Sequence, residues 1–231
     1  MSSLTRSLNR SLRSSVGVEI TRARRPHVEL KPEWFTRLLH FNHLVEQVTG
    51  VNGDLVECGV ADGVGLASFA SLFKAHDEVR QLWGFDSWEG LPAPSTADLG
   101  NKSIAAGGMF SRSSTKRVHD ELIAYGLTPA EIAQNVTLVP GFFSDTLSKY
   151  DGRIAVLHID ADLYQSYLDC LEVLWPRVEV GGVVAFDEYG EPDVWPGAQR
   201  AVDEFFGPRS ADVSELQHHE PSGKWWLTRR A

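Results

Sequence analysis

Two apolar runs in this chain end in paired carboxylates. Ile154 to Ile159 leads into Asp160-Ala161-Asp162, and Gly181 to Phe186 leads into Asp187-Glu188. Short apolar runs of this kind read as strands buried on both faces of a parallel sheet. In an open α/β sheet, ligands bind outside the carboxyl ends of the strands. The acids therefore gather at one edge, where oxygen ligands suit a hard divalent cation. The bland alternative is a set of solvated carboxylates at strand ends.

A second constellation lies upstream. Leu55 to Cys58 is strand-like, and Gly59, Gly63 and Gly65 make the next turn glycine-rich before a helical pattern begins. Glycines in such a turn let the backbone approach a ligand closely. Leu82 to Phe85 reads as the next strand and ends in Asp86. An acid about twenty residues beyond such a turn stands where nucleotide-binding βαβ units place a ribose-binding carboxylate. The glycine spacing is not GxGxxG, which argues against a nicotinamide-dependent dehydrogenase.

The elements that must position these residues follow from periodicity. Lys31 to Thr49 repeats apolar residues at three and four through Trp34, Leu38, Phe41, Leu44, Val45 and Val48. Further helices are expected over about Leu66–His76, Thr115–Tyr125, Tyr164–Trp175 and Pro196–Phe206, with a short one inside Gly141–Tyr150. Asn135–Val139 reads as a strand, and Pro176–Gly182 as the lead into the strand before Asp187. Glu215–Arg229 reads as a hairpin about Pro221-Ser222-Gly223-Lys224. Pro92–Ser114 shows no period and is rich in Gly, Ser, Pro and Ala. A loop this long reads as a lid over the substrate side, or else as a solvated insertion.

At 231 residues with 42% hydrophobic content, the chain can bury one substantial core. A net charge of −9 argues against a nucleic-acid partner, which requires a basic surface. No run approaches the roughly 18–20 apolar residues of a membrane span. The two cysteines, Cys58 and Cys170, form no metal or redox motif, so a cytoplasmic setting is expected. Residues 1–26 carry six arginines against one acid, Glu19, and read as a flexible basic arm ahead of a single domain at 27–231. A transit peptide is the alternative for that segment. The arm and the apolar first helix point to a homo-oligomer, to be checked by gel-filtration mass.

Five segments taken in order carry a resemblance. They are Glu57-Cys58-Gly59-Val60, Phe85-Asp86-Ser87-Trp88-Glu89-Gly90-Leu91-Pro92, Gly141-Phe142-Phe143-Ser144-Asp145-Thr146-Leu147, Asp160-Ala161-Asp162-Leu163-Tyr164 and Asp187-Glu188-Tyr189. Together they resemble the macrocin O-methyltransferase family, the metal-dependent class I S-adenosylmethionine methyltransferases that act on sugar hydroxyls of bacterial natural products. The resemblance implies a Rossmann-like α/β fold: a mostly parallel seven-stranded sheet, helices on both faces and a C-terminal antiparallel hairpin.

It also implies roles. Glu57, Gly59 and Gly63 would form the turn at the methionine end of S-adenosylmethionine, with Asp62 either joining them or capping the next helix. Asp86 would hold the ribose with Ser87 beside it, and Gly141, Phe142, Phe143 and Ser144 would border the adenine. Asp160, Asp187 and Glu188 would hold Mg2+ or another divalent cation, Asp160 also reaching the cofactor side. The family usually has aspartate where Glu188 stands. Asp162 is the candidate general base toward a small-molecule hydroxyl acceptor. A catechol-like phenol is the alternative acceptor, and a non-catalytic S-adenosylmethionine-binding protein the alternative function. His158 reads as a hydrogen-bonded core residue, and His218-His219 as surface.

Overall fold

The computed structural model describes residues 32–231 apart from Asn101. The basic arm expected at residues 1–26, and the domain start at residue 27, lie outside the described residues. The first described helix, α1 (Pro32–Gln47), buries His40, Phe41, Leu44 and Val45, the stripe its periodicity predicts. There follow β1 (Asp54–Cys58), α2 (Val64–Ala75), β2 (Leu82–Asp86), α3 (Thr115–Ala124), α4 (Pro129–Asn135) and β3 (Val136–Pro140). The rest comprises α5 (Phe143–Thr146), β4 (Ile154–Ile159), α6 (Tyr164–Leu174), β5 (Val178–Phe186), α7 (Pro196–Phe206), β6 (Gln217–His219) and β7 (Lys224–Thr228).

The strands form one seven-stranded sheet in the order β3-β2-β1-β4-β5-β7-β6. β1 to β5 pair in parallel, whereas β7 runs antiparallel to β5 and β6 antiparallel to β7. This is the expected sheet with its terminal hairpin. The order reverses between β1 and β4, so a crevice opens beyond their carboxyl ends.

Strand alternation sorts the core into two layers. Leu55, Val156, Val183 and Ala185 pack toward Phe41, Leu44 and Phe69 of α1 and α2. Val56, Leu157, Val184 and Phe186 pack toward Tyr167, Leu171, Ala198 and Val202 of α6 and α7. The same parity sends Glu57, His158 and Asp187 toward α1, and Glu188 toward α6. Neighbours in sequence thus reach the site from opposite faces of the sheet.

Four local features differ from the sequence expectation. α4 is too short for its apolar spacing to show, yet its start was readable. Thr128 Oγ1 accepts from Glu131 N at 3.2 Å and Glu131 Oε2 accepts from Thr128 N at 2.7 Å, with Pro129 in the first turn. β5 begins at Val178, earlier than expected, because a register shift against Ile154–Val156 absorbs Gly181-Gly182. His218 and His219 are half-buried, His218 stacked on Trp225 at 4.5 Å and His219 against His40 at 5.2 Å. Trp225 covers His218 from within the hairpin, and His40 and His43 of α1 lie against His219. Finally, Asp62 pairs with Arg117 at 2.9 Å, and α2 is capped by Gly63 without a side-chain bond.

The Pro92–Ser114 segment is anchored at its middle. Asp98 is buried, its Oδ1 accepting from Tyr164 N at 2.6 Å and its Oδ2 from Ser95 N at 2.7 Å. Leu91 N donates to Met109 O, and Gly108 N to Leu91 O, both at 2.9 Å. No helix among the described residues is long and apolar enough to cross a membrane. Cys58 and Cys170 are buried free thiols.

Candidate active site

One device fixes four site residues. Each follows a strand and donates its backbone N–H to a carbonyl at the end of the neighbouring strand. Gly59 donates to Phe85 O, Asp160 to Cys58 O and Asp187 to Ile159 O, each at 2.9 Å, and Gly141 to Asp86 O at 3.0 Å. The segments after β1 and β4 touch: a Cβ on Gly59 (φ 90°) would lie 1.7 Å from Asp160 O. Gly59→Ala adds left-handed strain to that clash and is expected to cost about 3 kcal/mol or more in a urea melt.

Beyond these ends lies a cavity of about 680 Å³. Gly59, Asp86, Ser87, Gly141, Phe142, Phe143, Ser144, Asp160 and Asp162 all line it. Asp86 is held from both sides, Oδ2 accepting from Ala61 N at 2.8 Å and Oδ1 from Trp88 N at 2.7 Å. Each carboxylate oxygen keeps capacity for a further bond. Leu91, Pro92, Ala93, Ser95 and Phe110 supply another wall from the anchored loop. Ala61, Trp88, Phe110 and Asp162 all have positive φ. Backbone strain of this kind clusters at functional sites because surrounding structure must hold it in place.

Glu57 and Gly63 stand behind the cavity wall. Glu57 is buried with its Oε1 2.9 Å from His158 Nδ1, while its Oε2 has no partner among the described residues. Burial pushes its carboxyl above the usual range, against the pull of His158. His158 is the buried, hydrogen-bonded residue expected, packed on Phe41 and Phe69. Gly63 (φ 92°) lets α2 approach α3, since a Cβ there would meet Val118 at 2.8 Å.

At the inner edge, Asp160, Asp187 and Glu188 each bring an oxygen within 4.8 Å of the others. Asp160 also lines the cavity, so it joins the two constellations. Glu188 is buried, its Oε2 2.6 Å from the Tyr167 hydroxyl and 3.3 Å from Asp162 N. Burial, then Asp160, Asp187 and Asp162, push the Glu188 carboxyl well up. Burial, then Asp160, Asp187 and Asp86, raise Asp162 to about 8. Asp187 behaves oppositely: burial would raise it, but Arg37 and Lys224 hold it down at about 2. An all-oxygen donor set whose members repel one another fits a hard divalent cation, which would relieve that repulsion.

Three partners of this cluster have no signal in local spacing. Arg37 of α1 lies 2.8 Å from both Asp160 Oδ2 and Asp187 Oδ1. Lys224 of β7 lies 3.2 Å from Asp187 Oδ2 and donates to Asp187 O at 2.6 Å. Tyr167 supports Glu188 from α6. Tyr167→Phe removes the hydroxyl and leaves a buried carboxyl short of a partner, an expected loss of about 1–3 kcal/mol by chemical denaturation.

Comparison with known proteins gives a consistent answer. The pattern of the macrocin-O-methyltransferase family matches residues 28–227. The demethyldecarbamoylnovobiocin O-methyltransferase of Streptomyces niveus is 35% identical over 203 residues, covering 84% of this chain and 74% of that protein. An 8-demethyl-8-(2,3-dimethoxy-alpha-L-rhamnosyl)-tetracenomycin-C 4'-O-methyltransferase of Streptomyces olivaceus is 36% identical over 165 residues, covering 66% of this chain and 60% of that protein. The solved structure of the O-methyltransferase NovP superposes with a TM-score of 0.67 at 32% identity, covering 85% of this chain and 80% of that one. With the sheet, the cavity and the acids in place, this chain belongs to the macrocin O-methyltransferase family and is an O-methyltransferase.

Proposed function

We propose that the protein moves a methyl group from S-adenosylmethionine to a sugar hydroxyl of a bacterial natural product, with Mg2+ or another divalent cation held by Asp160, Asp187 and Glu188. The observation that carries this reading is the position of Asp160, shared between the acid cluster and the long cavity. A donor in the cavity and an acceptor oxygen at the acids would meet beside it. The Streptomyces olivaceus relative supports the acceptor class, since its name specifies a rhamnosyl group and a 4'-O position.

The residues divide the work. Asp86, pinned by the Ala61 and Trp88 amides, offers the ribose hydroxyls a charged acceptor of fixed orientation. Gly141 to Ser144 border the adenine, with Phe142 exposed enough to meet a flat base. Gly59 keeps side chains clear of the methionine end. Glu57, with a buried unpartnered oxygen behind that turn, suits the amine through water. Gly63 serves the same turn by holding α2 close. When bound, S-adenosylmethionine supplies an electrophilic methyl group and the cation lowers the pKa of an adjacent hydroxyl. Asp162 takes the hydroxyl proton. Without a cation, burial and the neighbouring acids raise its carboxyl to about 8; a cation on Asp160 and Asp187 would lower it from there, and base catalysis works best with a pKa near the working pH. The Pro92–Ser114 wall closes over the acceptor and excludes water.

The test is transfer of label from methyl-labelled S-adenosylmethionine to glycosylated natural products and to catechol, each with Mg2+ and with chelator. Label on a sugar oxygen only with Mg2+ is the expected result. Label on catechol alone would move the acceptor class to phenols, and equal transfer in chelator would remove the cation from the mechanism.

A further inference from the structure

We propose that Arg37 is an internal counter-ion that competes with the divalent cation for Asp160 and Asp187, so that cation affinity is set by how readily its guanidinium withdraws. The inference rests on the cation reading above. Its basis is that one atom, Arg37 Nη2, bridges Asp160 Oδ2 and Asp187 Oδ1 at 2.8 Å each. Those residues are two of the three acids whose oxygens converge. A hard cation needs oxygen contacts of about 2.1 Å. A guanidinium and a divalent ion drawing on the same two oxygens repel each other at close range.

Arg37 is also built to leave. Its Nε is buried without a hydrogen-bond partner among the described residues, so its placement leaves one donor unsatisfied. Its other contact is the Phe41 ring, whose centroid lies 5.5 Å from Cζ, a weaker hold than the two carboxylates. Lys224 differs in each respect that matters. It touches only Asp187 among the three acids, on the other carboxylate oxygen and the backbone carbonyl, and is tied to Glu191 as well. It neutralises the cluster without bridging the ligands. Arg37 therefore holds the two aspartates together, placed for a cation, at the expense of affinity.

The experiment measures Mn2+ binding to the full-length protein by electron paramagnetic resonance of the free ion. Wild type is compared with Arg37→Gln, Lys224→Gln and the double variant Arg37→Gln/Asp160→Asn. Arg37→Gln should tighten Mn2+ by about tenfold or more, the scale of close charge couplings. Lys224→Gln should tighten it clearly less, and the double variant should lose the site. Thermal melts give a second readout. The rise in Tm on adding Mg2+ should be larger in Arg37→Gln than in wild type, because the ligand stabilises by its affinity. Unchanged or weaker Mn2+ binding in Arg37→Gln overturns the proposal. So does equal tightening in Lys224→Gln, which would reduce the effect to net charge, or binding retained in the double variant. No Mn2+ binding to wild type or to Arg37→Gln would instead sink the cation reading itself.

Discussion

Asp187→Asn is expected to lower O-methylation about a thousandfold, near 4 kcal/mol of transition-state stabilisation, and to lose divalent-cation binding with it. Asp187 is the acid of the cluster held ionised against its own burial, by Arg37 on one oxygen and Lys224 on the other. Asparagine keeps the shape and removes the charge. The Lys224 contact to the Asp187 carbonyl survives the change, and Arg37 retains Asp160. The fold should therefore suffer much less than the activity. Turnover, Mn2+ titration and a thermal melt on the same preparation separate these effects. A variant that binds Mn2+ normally would remove Asp187 from the ligand set.

Asp162→Asn is expected to lower kcat by about a hundredfold to ten-thousandfold, the range general-base groups contribute. Binding of S-adenosylmethionine and of the cation should be preserved. The backbone makes this a clean substitution. Asp162 sits at φ 60°, a conformation asparagine tolerates as well as aspartate, and its N–H to Glu188 Oε2 does not depend on the side chain. A base must be deprotonated to act, so wild-type rate should climb with pH through its titration. That limb should be absent in the variant. Wild-type turnover in Asp162→Asn would leave the proton with solvent or another group.

The strands were legible because their burial is continuous. Ile154 to Ile159 is buried at every position and could hardly be anything but a central parallel strand. The strand ends were legible for the same reason, and with them Asp86, Asp160 and Asp187. Glu188 joins the acids despite its extra methylene, because alternation sends it to the α6 face, where Tyr167 receives it. What stayed hidden depends on distance along the chain. Arg37 lies 123 residues before Asp160, in a helix whose visible pattern is only its apolar stripe. Lys224 opens β7 just after the hairpin turn, a place where a lysine ordinarily signals solvent. Asp98 lies in a segment without period: its Oδ2 bond to Ser95 N is local, but only the folded position of α6 reveals that its Oδ1 accepts from Tyr164 N. α4 was missed for a different reason: its capping box was in plain view, but its apolar stripe was too short to prompt the search.

The central claim is that donor pocket and acid cluster form one site. Calorimetric titration of S-adenosylmethionine into the full-length protein, with and without Mg2+, followed by a glycosylated acceptor carrying adjacent hydroxyls, tests it most directly. The account predicts cofactor binding, then acceptor binding only when Mg2+ is present. Acceptor binding of equal strength in chelator would separate the acids from the acceptor. No cofactor binding in either condition would contradict the assignment of the cavity.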